Sequence, residues 1–238
     1  MPEVKTQRAA HARRFPGAVT IRVLAALLGY PDAQMRRHLP EMRTLLRQDQ
    51  ALAPARLLEI EALMHSLQVA DPLDSEAAYV ELFDSSRATS LHLFEHVHGD
   101  SRERGPAMID LGQTYEKAGL VLNEGELPDY LPAVLEFVST QPEREAKAFL
   151  NEIGHLLNAI FGALHQHGSA YASVLGALLE LSGQKAKAVA PAAEPPLDET
   201  WAEPVVFDGC STQGQARPGQ PQPIHLIRKS NIAQGATP

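Results

Sequence analysis

The 238-residue sequence has a single cysteine, Cys210, a single tryptophan, Trp201, and only 5% aromatic residues. One cysteine excludes an internal disulfide and a four-thiolate zinc site. No apolar run approaches the ~18 to 20 residues needed to cross a bilayer, so stable membrane insertion is excluded as well. The chain also lacks a glycine-rich phosphate loop and a Gly-x-Ser-x-Gly elbow. Cys210 stands away from any base of fixed position, which makes it a poor nucleophile. What is present is 44% apolar and 21% charged residue. That composition suits a soluble globular protein of one domain, or two small ones, able to bury a core.

Cations are scarce where anions are dense. Residues 1–48 carry nine basic against three acidic side chains, whereas residues 71–152 carry 17 carboxylates against six basic side chains, a local net charge of −11 within a total of −8. Such a middle segment disfavours nucleic acid and favours cationic partners, so a peptide bound here is expected to be basic. Arg13-Arg14-Phe15, ahead of the apolar residues 19–28, has the superficial form of a twin-arginine export signal. Arg22 interrupts that stretch, no small-x-small cleavage site follows, and Val19, Val23, Leu24, Leu27 and Leu28 share one helical face. An ordinary first helix in a cytoplasmic protein is expected.

Helical periodicity dominates to about residue 183, with no convincing strand. Met35, Leu39, Met42 and Leu46 repeat at helical spacing around Pro40, which should kink or divide that helix. Leu57, Ile60, Leu63, Met64 and Leu67 mark the next, and Tyr79, Leu82 and Phe83 a short one after Asp71-Pro72. Further helices are predicted over 87–98, ended by Gly99, and along Met108, Leu111, Tyr115 and Ala118, and at Leu131, Val134, Leu135 and Val138. After Pro142 the apolar spacing runs unbroken from Ala146 to Leu164, which predicts one long central helix; Val174, Leu178 and Leu181 mark the last. The expected fold is all-α: a flexible N-terminus over residues 1–16, about nine helices in one compact domain over 17–183, and a disordered Pro/Ala/Gln-rich tail over 184–238. Within the tail, the segment around Trp201 and Pro223-Ile224-His225-Leu226-Ile227 have the form of docking motifs.

His92, Glu95 and His96 match His-x-x-Glu-His, the inverted zinc-peptidase pattern, and on a helix they share one arc. Any amphipathic surface helix produces the same arrangement. The later helices offer isolated glutamates such as Glu152 and Glu180 and no acidic cluster for a third ligand. A structural or peptide-binding segment therefore ranks ahead of a catalytic metal site, and the other histidines read as solvated or helix-end residues.

The run Tyr79-Val-Glu-Leu-Phe-Asp84, Arg87-Ala-Thr-Ser-Leu91, Leu93-Phe-Glu-His-Val-His-Gly99, Ser101-Arg102, Arg104-Gly105, Gly119-Leu120 and Leu127-Pro-Asp-Tyr-Leu-Pro132 resembles the NarJ-type molybdenum cofactor assembly chaperones of respiratory nitrate reductase. The Leu-Pro-Asp-Tyr segment also looks like the Glu-Pro-Asp-His hallmark of the wider TorD-like chaperones, with Leu127 and Tyr130 as departures. The resemblance implies a chaperone without catalytic activity and without a cofactor of its own. Its partner would be the apo catalytic subunit of a membrane-bound nitrate reductase, bound at its basic N-terminal peptide and kept competent for cofactor insertion; cofactor delivery proteins would be further partners. A chaperone for a different molybdoenzyme would share this fold. The peptide site is expected at Asp84, Glu95, Asp100 and Asp129, facing positive charges, with Phe94, Tyr130 and Leu131 against apolar side chains and His96 and His98 alongside. Arg87, Arg102 and Arg104 read alternatively as structural partners of nearby carboxylates.

Overall fold

A computed structural model describes residues 17–99, 101–123 and 125–187, all within the unit Met1–Ala193. Asp100, Cys210, the Trp201 segment and Ile224 to Ile227 lie outside the described residues. Among those described there are ten helices and no strand: α1 (Ala18–Leu28), α2 (Ala33–Asp49), α3 (Pro54–Val69), α4 (Pro72–Asp84), α5 (Leu93–Val97), α6 (Arg104–Lys117), α7 (Leu131–Thr140), α8 (Glu143–Glu152), α9 (Gly154–Gln166) and α10 (Ala172–Leu181).

Three helices are apolar nearly all round, and they form the centre. α1 buries Ile21, Leu24, Leu27 and Leu28, α7 buries Leu131, Val134, Leu135 and Val138, and α10 buries Val174, Leu175, Leu178 and Leu179. α1 packs on α7, α2 and α10, and α10 packs in turn on α9, α3 and α8. Each fully buried leucine here contributes about 1.5–3 kcal/mol. Thr20 in α1 is tied to the far end of α2, because Asp49 Oδ2 accepts from the Thr20 amide at 3.0 Å and from its hydroxyl at 2.6 Å.

Helix starts follow local chemistry. Asp32 caps α2 by accepting from the Met35 amide at 2.7 Å, and Asp71 caps α4 by accepting from Leu73 at 2.9 Å with Pro72 at the first helical position. Pro40 neither divides nor ends α2, which runs through it with the proline ring on the solvent side. The long helix expected after Pro142 is broken: Ile153 (φ −81°, ψ 1°) joins α8 to α9. At the break Gly154 lies under the Gln184 side chain, which reaches back to Asn151, and the main chain stays attached through Lys187, whose amide donates to Asn158 Oδ1 at 2.8 Å.

The helix expected over 87–98 is also shorter. Only Leu93–Val97 is helical, and residues 87–92 form a turn and an extended stretch. α4, α5 and α6 form the periphery, where only Tyr79, Phe83, Leu93 and Tyr115 are fully enclosed. Tyr79 and Phe83 join Tyr171 at the start of α10 in an aromatic cluster, with ring centroids 4.7 Å (Tyr79–Phe83), 5.1 Å (Phe83–Tyr171) and 6.0 Å (Tyr79–Tyr171) apart. Such pairs each add about 0.5–1.5 kcal/mol beyond area burial. No described helix is long and apolar enough to cross a membrane.

Candidate functional site

The segments that carry the compound motif meet at one place. Residues 91–93 and 129–131 run antiparallel through an isolated bridge between His92 and Tyr130. Leu93 N–H donates to the Asp129 carbonyl at 3.0 Å, and Leu131 N–H donates to the Leu91 carbonyl at 2.8 Å. Tyr115 of α6 holds the same loop by donating its hydroxyl to the Pro128 carbonyl at 2.8 Å. Two sequence-distant stretches are thereby locked into one wall.

Asp129 lies at the centre of that wall and is 0% exposed. Its carboxylate accepts from the Phe94 amide at 3.1 Å and from His92 Nδ1 at 3.3 Å, with an Arg104 Nη2 3.9 Å away. The Phe94 amide belongs to the first turn of α5, so Asp129 serves that helix as a cap supplied from another part of the chain. Arg104 also approaches Glu95 Oε1 at 3.6 Å and so links α6 to α5. The Asp129 hydrogen bond holds the His92 pKa above its ordinary value, against the opposing effect of burial.

This geometry changes the meaning of several residues. His92 is extended (φ −87°, ψ 104°) and precedes α5, so it does not stand one helical turn from His96. Its ring faces Asp129, whereas His96 Nε2 lies 2.9 Å from the Ser90 carbonyl. The helical arc on which the zinc pattern depended is absent, and among the described residues no group of three or more His, Cys, Asp or Glu is placed to hold a metal. Asp129 and Leu131 face inward: the first is enclosed with both oxygens engaged, and the second is a core residue of α7. They organise the wall from beneath it and do not reach its outer surface.

The half-buried Phe94, Glu95, His96, His98 and Tyr130 form the partly open layer. Phe94 and His98 stand edge to face at 5.3 Å, and the Tyr130 ring lies 5.3 Å from His92. Gly99 closes α5 at φ +51°, a left-handed backbone angle that favours glycine, and the Arg87 guanidinium covers it.

Asp84 sits exposed at the end of α4, and its charge reaches both Tyr79 and Tyr130. Tyr79 joins the wall to the core. Its hydroxyl donates to the Leu28 carbonyl at 2.6 Å, so the contact of 3.2 Å to Tyr130 leaves Tyr130 as donor. Burial is the main cause that raises the pKa of Tyr79, Tyr130, Tyr115 and Tyr171. Thus Asp84, Phe94, Glu95, His96, His98 and Tyr130 come together around a buried Asp129, and Asp100 falls outside the described residues. Tyr79 and Arg104 complete the group. The sequence offers Tyr79 as a core residue at helical spacing and Arg104 as a carboxylate partner, and both also stand in the compound motif. The Ser90 hydroxyl accepts from the His92 amide at 3.2 Å.

Residues 32–176 match the family described as nitrate reductase delta subunit. The chain is 43% identical over 160 residues to the nitrate reductase molybdenum cofactor assembly chaperone NarJ of Escherichia coli K12, covering 67% of this chain and 68% of that one. It is 40% identical over 163 residues to Escherichia coli K12 NarW, which is named a probable chaperone of the same assembly, at 68% of each chain. A solved structure of a candidate redox enzyme maturation protein from Archaeoglobus fulgidus superposes with a TM-score of 0.52 at 18% identity, covering 70% of this chain and 94% of that one. That likeness concerns the fold alone.

Proposed function

This chain belongs to the nitrate reductase delta subunit family, and from that premise we propose that it binds the basic N-terminal peptide of the nitrate reductase catalytic subunit and holds the apo subunit competent for cofactor insertion. The chain is an assembly chaperone for the molybdenum cofactor of nitrate reductase and not an enzyme, as its relatives are by name. Peptide capture is the finer step. The observation that carries it is the wall built from residues 91–99 and 127–131, which places half-buried aromatic rings beside carboxylates in a segment of net charge −11. A basic amphipathic peptide needs both: apolar surface for one face and negative charge for the other. Rim ion pairs contribute up to about 1 kcal/mol each, so most of the affinity belongs to the aromatic contacts.

Titration calorimetry of the full chain with that N-terminal peptide is the test. Saturable one-to-one binding is expected, and Phe94→Ala together with Tyr130→Ala should weaken it by roughly 2–4 kcal/mol. A chain that takes up no heat from the peptide, yet is folded by circular dichroism, would overturn the peptide reading. The delivery proteins that bring the cofactor, and the cytoplasm as the place of assembly, belong to the same proposal.

A further inference from the structure

The apolar spacing from Ala146 to Leu164 runs across the junction of α8 and α9 without a missed turn, yet the helix stops there. A local pattern that asks for one helix and a fold that holds two are in conflict, and such conflicts concentrate where a segment has a second use. The break itself is small. Ile153 has φ −81° and ψ 1°, so its ψ stands only about 40° from the helical value of about −42°. No proline and no positive φ interrupts the chain between Glu143 and Gln166.

What sits on the junction is a strap formed by residues 184–187. α10 ends on Gly183 at φ +84°, and the Gln184 amide donates back to the Leu179 carbonyl at 2.8 Å. The Gln184 side chain then donates to the Asn151 carbonyl at 3.1 Å and also meets Asn151 Oδ1, and the Lys187 amide donates to Asn158 Oδ1 at 2.8 Å. In an unbroken helix the Asn151 and Glu152 carbonyls would accept from the His155 and Leu156 amides. Here the Asn151 carbonyl serves Gln184 and the Ile153 amide, and the Glu152 carbonyl lies 3.1 Å from His155 Nδ1. Leu156 N–H turns to the Ile153 carbonyl at 2.9 Å. Gly154 marks the same point, because the nearest atoms that a Cβ there would meet all belong to the Gln184 amide. Strap bonds on one side and main-chain helix bonds on the other have the same modest net strength in water. That near balance is what a two-state element requires.

We propose that residues 184–187 act as a releasable strap: seated, it holds α8 and α9 apart, and lifted, it lets residues 143–166 close into one helix. α8 packs on α7, with the Phe149 and Phe137 rings 5.9 Å apart, and α7 starts at Leu131 in the wall. Straightening therefore moves α8 against the helix that begins in the wall. A partner that draws the chain beyond Lys187 away gains a mechanical route to that wall. The inference is independent of what the wall binds.

Native-state hydrogen exchange on the full chain, followed residue by residue by nuclear magnetic resonance, tests the strap. Gln184→Ala removes its hold on Asn151, and Gly154→Ala displaces the same side chain from the other side. Each variant should slow exchange of the His155 amide by roughly tenfold or more, as the helix bond to Asn151 forms, while the Lys187 amide exchanges faster. If both variants are folded and the His155 amide exchanges as fast as in the unmodified chain, the break belongs to α8 and α9 alone and the strap proposal is wrong. Gly154→Ala also raises helix propensity, so a slowing confined to that variant counts against the strap as well. The Leu131 amide reads the link to the wall: a changed rate in Gln184→Ala supports that link, and an unchanged rate overturns it.

Discussion

Asp129 carries a formal charge into full enclosure, where desolvation is expensive unless its oxygens are partnered. The Phe94 amide and the His92 ring are those partners. Asp129→Asn keeps an acceptor for the amide and should cost about 1 kcal/mol, whereas Asp129→Ala leaves the amide buried and unpaired and should cost about 3 kcal/mol, by urea denaturation. His92 adds a pH signature. Its folded pKa is raised, so its stabilisation is complete below the unfolded value of about 6.5 and fades as pH rises through the raised folded value. Denaturation between pH 5.5 and 9 should show that decline in the unmodified chain and a flatter profile in Asp129→Asn. None of this was legible in the Leu127-Pro-Asp-Tyr segment itself, because an aspartate is exposed by default and only the tertiary pairing of residues 91–93 with 129–131 buries it.

Helices with one clean apolar period could be read from sequence, and those shaped by tertiary partners could not. α1, α3 and α10 follow their spacing, with the expected Val23, Leu24, Ile60, Leu63, Val174 and Leu178 in the core. The break between α8 and α9 escaped because Leu150, Ile153 and Leu157 carry the apolar register straight across it, while the Gln184 side chain that takes up the Asn151 carbonyl there lies 33 residues on. α5 was overdrawn for the complementary reason: residues 87–92 have a helical wheel, but their backbone groups are taken by the 129–131 strand-like segment and the Thr89 and Ser90 turns. At α10 a glycine stands where helix propensity argues against it, since an interior Gly costs about 1 kcal/mol relative to Ala. A Cβ on Gly176 would stand 2.6 Å from the guanidinium of Arg56, which bridges α3 to Glu180. Gly176→Leu should therefore lower stability by roughly 2 kcal/mol despite its better propensity, and much of that loss should vanish in an Arg56→Ala background.

On the scale of the whole chain, charge is segregated more than it is large. The net −8 conceals a basic leading segment and a middle of −11 that holds α4, α5, α6 and the Asp129 loop. An excess of one charge sign accelerates encounter with a cation more than it tightens the final complex. The association rate of a basic peptide, followed by stopped flow, should thus fall several-fold between 0.01 and 0.15 M salt, as the screening length drops from about 30 Å to about 8 Å, while dissociation changes little.

The pairing of residues 91–93 with 129–131 also sets a clock. Leu131 begins α7, a core helix, yet its amide is held by the Leu91 carbonyl and not by α7 itself, just as the Leu93 and Phe94 amides are held by Asp129. These three protons sit on two separate helices and share one seam. They should exchange with solvent together when the seam parts, at a free energy below that of global unfolding, which native-state hydrogen exchange measures. A core helix of this chain thus begins with an amide that reports opening at the surface wall, and its time constant is that of the seam.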